Sequence, residues 1–105
     1  MIESSLTRDI AGRVIAFEVF NHGESHVCAA VSMLVINTVN SIEALTDAEF
    51  SCKYDKKNTG YITFELESPR SISPGTEAGL LLDAMVLGLE ATAQKHPTEL
   101  TMKEK

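Results

Sequence analysis

Twice along this chain, a pair of alternating runs rich in β-branched and aromatic residues gives way to a run with an apolar residue every three or four positions. That order limits the possible folds more than any other feature, because a period of two builds strands and a period of 3.6 builds helices. The first pair is Ile2 to Arg8, with Ile2 and Leu6 on one side, and "RVIAFEVF", joined through the turn-like "DIAGR". From Cys28 to Leu45 the residues Val31, Leu34, Val35, Thr38, Val39, Ile42 and Leu45 keep the helical period, while Ser32, Asn37, Ser41 and Glu43 fall elsewhere on the surface. In the second pair, Phe50, Cys52 and Tyr54 alternate with polar neighbours. Lys57 to Gly60 supply turn chemistry, and Tyr61, Ile62, Phe64 and Leu66 form the returning strand. "SPRSISPG" is a loop by composition, and Thr76 opens a second helix with the stripe Ala78, Leu82, Met85, Val86, Leu89 and Ala93. Pro97 ends that helix, and "TELTMKEK" offers a short edge strand whose lysines discourage further pairing. The expected architecture is ββαββα with a final β: one α+β domain over residues 1–105, with two helices packed on an antiparallel-rich sheet.

Length and charge narrow the classes of function. A chain of 105 residues buries one modest core. Its 9 basic and 15 acidic residues, net charge −6, give no electrostatic footprint for gripping phosphate backbones, so direct nucleic-acid binding is not expected. No stretch approaches the roughly 20 apolar residues that cross a bilayer, and no membrane role is expected. "MIESSLTRD" lacks the basic region and apolar core of a secretory signal, which makes the cytoplasm the expected compartment. In a reducing cytosol Cys28 and Cys52 are expected as two free thiols.

The most reactive side chains crowd into "NHGESHVCAAVS", Asn21 to Ser32, where a strand-like run meets a helix-like one. Cys28 falls at or near the first helical turn, where unpaired backbone N–H groups and the positive end of the macrodipole favour an anion such as a thiolate. A neighbouring imidazolium acts in the same direction. His22, separated from Cys28 by a segment containing Gly23, can fold back toward the sulfur as a general base; His26 is nearer in sequence, but a tight connection can aim it elsewhere. Two other readings remain. Cys28 followed by "AAVSMLV" can be a small buried hydrophobe at a helix start. His22, His26 and Cys28 can also be three zinc ligands, although H-x3-H-x-C matches no common zinc signature, and no metal or other cofactor is expected. Cys52, on the same strand face as Phe50 and Tyr54, reads as core, and His96 beside Pro97 as a cap at the end of the second helix.

An asparagine-preceded histidine, a short glycine-bearing loop and then "VCAAVSMLVINTVNSIEAL" resemble the ribosomal-processing cysteine protease family, Prp. The similarity runs through the whole chain, to a closing helix like "LLLDAMVLGLEAT", and is most specific between Asn21 and Leu45. The resemblance implies a small α+β homodimer with a His–Cys dyad, in which His22 is the base and Cys28 the nucleophile. Ser32, one helical turn on, matches a serine of the family motif and would support the site, and Gly23, Glu24, Ser25 and His26 would form the loop over the substrate. The implied substrate is the N-terminal extension of a large-subunit ribosomal protein, the twenty-seventh in the usual series. Family members commonly carry a longer glycine-rich loop and an Asp three residues before the cysteine, where this chain has Ser25. A non-catalytic reading stands beside this one: an acidic, ribosome-associated binding module that docks a basic tail without cutting it.

Overall fold

The computed structural model describes residues 1–21, 25–55, 61–67 and 77–105. The proposed turn at Lys57 to Gly60, the loop "SPRSISPG" and the helix start at Thr76 lie outside the described residues. The element order is β1 (Ile2–Arg8), β2 (Val14–Phe20), α1 (Ser25–Leu45), β3 (Phe50–Asp55), β4 (Tyr61–Leu66), α2 (Glu77–Lys95) and β5 (Leu100–Glu104). The α+β layout expected from the two periodicities is therefore present, final strand included.

The strands form one sheet in the order β3-β4-β2-β1-β5. Three of the four pairings are antiparallel, and the fourth, β1 with β5, is parallel. The β1–β2 hairpin turns at Asp9, whose carboxylate accepts the Ala11 and Arg13 N–H groups at 2.9 Å each and the Arg13 Nε at 2.9 Å. These donors, the Arg13 backbone N–H foremost, hold the Asp9 carboxyl below its ordinary range. Gly12, at φ 85°, supplies the left-handed position that the turn requires.

Alternation assigns the two faces of the sheet. Ile2, Leu6, Phe17, Val19, Ile62, Phe64, Leu66 and Leu100 point to one side and are buried. Register brings Phe17 opposite Phe64 and Cys52 opposite Phe64. The Phe64 ring stacks at 5.0 Å on Phe17 and at 5.0 Å on Phe50, so three strands are tied through one aromatic column. Val27, Val31, Val35, Val39 and Ile42 of α1 and Ala78, Leu82, Met85 and Leu89 of α2 complete the same core. The two helices also pack on each other. Gly88 permits the close approach, since a Cβ there would stand 2.8 Å from Leu34 Cδ2.

Two features of α1 depart from expectation. It begins at Ser25, so Ser25 and His26 belong to its first turn rather than to a preceding loop. The cause is Val27, which is buried on the same seam as Val31 and Val35 and extends the apolar stripe one turn toward the N-terminus. The helix is also, by length and composition, apolar enough to cross a membrane, contrary to the expectation that no stretch would be. The core helix of a soluble protein passes the same test, and here the valine seam of α1 is packed in the core.

Both helices keep an apolar stripe facing away from the core. Met33 and Ile36 on α1 and Leu80 and Leu87 on α2 are exposed, Met33 at 71%, Leu80 at 70% and Leu87 at 68%. Large apolar groups at helical spacing on a solvent face are the usual mark of an association surface.

Candidate active site

The end of the sheet where β2 finishes is the end from which α1 starts. Residues 21–24 join Phe20 to Ser25, which limits the gap between their Cα atoms to about 17 Å. Around this end the chain places the start of β1, the start of β4 at Tyr61 and the Glu99–Leu100 entry to β5, where the Ile2 N–H donates to the Glu99 carbonyl at 2.8 Å. Phe20 and Tyr61 meet there with ring centroids 6.2 Å apart.

Cys28 is the fourth residue of α1 and so belongs to its first turn. It is half-buried, packed against the hydrophobic core and not part of a disulfide. The first four N–H groups of a helix have no partner within the helix, and the aligned peptide dipoles leave positive charge at that end. No acidic residue stands in the first turn to neutralise it. A carbonyl oxygen that takes on negative charge beside Cys28 would meet donors already fixed by the helix. Ser32 is exposed on the next turn, and His26 is exposed in the first. His22, Gly23 and Glu24 lie outside the described residues, and with them the zinc reading, which needs His22. Among the described residues no group of three His, Cys, Asp or Glu side chains is arranged to hold a metal.

Cys52 is the second cysteine of the chain. It lies on β3 in register with Phe64, and burial pushes its thiol above the ordinary range, in line with its reading as a core residue. His96 follows the last residue of α2; its N–H donates to the Thr92 carbonyl at 2.9 Å, and its own carbonyl accepts from Glu99 at 3.0 Å and Leu100 at 3.2 Å, turning the chain into β5. A depression of about 180 Å³ opens on the sheet face away from the helices, lined by Thr7, Ala16, Glu18, Ser51, Lys53 and Glu65. It is on the opposite side of the sheet from Cys28 and takes no part in this site.

Sequence reasoning missed one contact at this end. Asn21 has φ 74°, and its Nδ2 donates to Glu3 Oε2 at 2.7 Å. Asparagine ahead of Gly23 hints at a left-handed residue, but only the β1–β2 register shows which carboxylate meets it.

Residues 1–101 match the family model described as Cysteine protease Prp. The chain belongs to the cysteine protease Prp family. Membership makes it a cysteine-type peptidase. The Ribosomal processing cysteine protease Prp of Bacillus subtilis (strain 168) is 29% identical over 109 residues, covering 95% of this chain and 94% of the relative. The Prp of S. aureus, solved in complex with a covalently linked product peptide, superposes with a TM-score of 0.88 at 25% identity over 100% of both chains. A protein of Streptococcus mutans superposes with a TM-score of 0.88 at 33% identity, covering 99% of this chain and 93% of that one. The Prp fold thus extends over the whole five-stranded sheet and both helices.

Proposed function

We propose that this Prp-family peptidase removes the N-terminal extension of a large-subunit ribosomal protein, the twenty-seventh in the usual series, with Cys28 as nucleophile and His22 as general base. The observation that carries this reading is the position of Cys28 in the first turn of α1, at the sheet end where β2 stops. Support comes from the B. subtilis relative, named for ribosomal processing, and from the S. aureus relative, which holds a covalently linked product peptide.

In this mechanism the Cys28 thiolate attacks the scissile carbonyl carbon, and the oxyanion is met by N–H groups at the start of α1. The C–N bond breaks as the His22 imidazolium gives its proton to the leaving amine, and the acyl group stays on sulfur. His22 then takes a proton from water, whose oxygen displaces the thiolate and releases the new carboxyl end. Ser32, one turn beyond Cys28, supports the site from the exposed side of α1. The segment Gly23 to His26 covers the peptide, its Ser25 and His26 part standing in the first helical turn. The net charge of −6 suits a basic ribosomal-protein tail, and the setting is the cytoplasm.

The test is mass spectrometry of the full chain mixed with a peptide spanning that extension, alongside His22→Ala. One cleaved bond is expected from the parent, and a rate at least about 100-fold lower from the variant. Peptide bound but left whole by the parent would favour a docking module instead.

We also propose that the chain works as a homodimer. The exposed stripes with Met33 and Ile36 on α1 and Leu80 and Leu87 on α2 support this, since leaving them in water is unfavourable. Sedimentation velocity is expected to give twice the 11.4 kDa chain mass. Leu87→Glu, which places a charge in the stripe, is expected to shift the species to monomer, and a parent that is already monomeric would sink the idea.

A further inference from the structure

The backbone leaves β2 through a conformation that most residues avoid. Asn21, the residue after Phe20, has φ 74°, in the left-handed region. For an L-residue that conformation costs about 1–2 kcal/mol, and asparagine tolerates it better than most. Such a turn needs something to hold it. The Asn21 side chain supplies a hold by donating from Nδ2 to Glu3 Oε2 at 2.7 Å. Glu3 is placed for the task by strand pairing, because it sits in register with Phe20. Its other oxygen, Oε1, lies 3.5 Å from the Nζ of Lys103, which stands on β5 two residues beyond Thr101, the register partner of Glu3.

The two contacts of Glu3 differ in weight. The Lys103 ammonium is 62% exposed, so water screens that pair and it contributes little. The Asn21 contact also lies at the surface, but it is shorter, has a carboxylate acceptor and closes on a strained backbone. A change in the dihedral angles at Asn21 redirects whatever follows it, and the next residue in the chain is His22.

From this geometry we infer that Glu3 is a positioning residue for peptide cleavage: by holding Asn21 in its left-handed turn, it sets the direction in which the chain carries His22 from β2. The inference rests on the assignment of His22 as the base. Glu3 acts at a distance from the reacting atoms, and displacing a catalytic group by about 1 Å can lower turnover about 100-fold.

Steady-state kinetics on the full chain with the extension peptide test it, with thermal denaturation run on each variant. Glu3→Ala is expected to lower kcat about tenfold or more while KM stays within about twofold, because orientation is lost and substrate contacts are kept. Glu3→Gln is expected to keep most of the parent kcat, since its amide oxygen still accepts from Asn21 Nδ2. Asn21→Gly keeps the left-handed turn without strain but loses the tether, and is expected to resemble Glu3→Ala. Adding Glu3→Ala to Asn21→Gly should cost nothing more, as both remove one contact. Parental kcat in Glu3→Ala, or a Glu3→Gln variant as impaired as Glu3→Ala, overturns the inference, and so does multiplication of the two single effects. Should Glu3→Ala melt below the assay temperature, Asn21→Gly decides alone, because it leaves Glu3 and Lys103 in place. His22→Ala separates the two layers of the argument. If it is inactive while the Glu3 and Asn21 variants match the parent, only the positioning role fails. If it cleaves at the parental rate, the base assignment fails and the positioning role with it.

Discussion

Cys28→Ala is expected to reduce peptide cleavage to the background rate, a loss of about 10⁴-fold or more in kcat, because the proposed nucleophile is removed and the remaining groups can only bind and polarise the peptide. No second thiol among the described residues can substitute. Cys52 is held in register with Phe64 on β3, and burial raises its thiol further from the reactive anion. The fold should tolerate the change. Cys28 is only half-buried, and exchanging a thiol for a hydrogen there removes about 1 kcal/mol of packing, too little to unfold the chain. A fluorogenic or mass-spectrometric assay able to follow rates about 10⁴-fold below the parent's, with circular dichroism of the variant in parallel, gives the answer. Parental cleavage by a folded Cys28→Ala chain would remove Cys28 from the mechanism.

The largest stability effect is expected at Phe64, on β4 between β3 and β2. Its ring is 2% exposed and stacks at 5.0 Å on both Phe17 and Phe50. Phe64→Ala removes the middle of this column and leaves a cavity beneath the helices. A loss of about 3–5 kcal/mol is expected, against a total of about 5–15 kcal/mol for a domain of this kind. Urea titration should show a lower midpoint at unchanged slope, and the melting temperature should fall by roughly 15 °C or more. Phe64→Leu, which keeps most of the volume, should lose well under half as much. A Phe64→Ala loss below about 1 kcal/mol would mean that the column relaxes around the gap and that the core does not depend on it.

Much of this architecture is legible in the sequence because it is written in local periodicity. The alternation of Ile62, Phe64 and Leu66 and the stripe Leu82, Met85, Val86 and Leu89 mark β4 and α2 and also name the residues that the structure buries. Long-range pairing is less legible. Nothing in Leu100–Glu104 says that it runs parallel to β1, since register and strand order depend on partners about a chain length away. The start of α1 at Ser25 was hidden because serine and histidine carry no apolar signal, and Val27 alone had to reveal the extra turn. At the site, the place of Cys28 in the first helical turn followed from the break between two periods. The Glu3–Asn21 contact did not, because it joins residues 18 positions apart through hairpin register and one left-handed angle.

The parallel union of β1 with β5 bears on the order in which the molecule assembles. Both antiparallel hairpins form from neighbouring segments, whereas the Arg8–Glu104 bridge across β1 and β5 closes a span of 96 residues. Closing so long a loop early costs entropy with no local contact to offset it, so β5 is expected to dock after the hairpins and helices are in place. Native-state opening reverses this order. Amide hydrogens of Thr101 and Lys103 should exchange with deuterium earlier than those of Phe17 and Val19 in the middle of the sheet. Each such opening parts Lys103 from Glu3 while the Asn21 turn stays anchored to β1, so the end of the sheet from which α1 starts can keep its shape while its outer edge breathes.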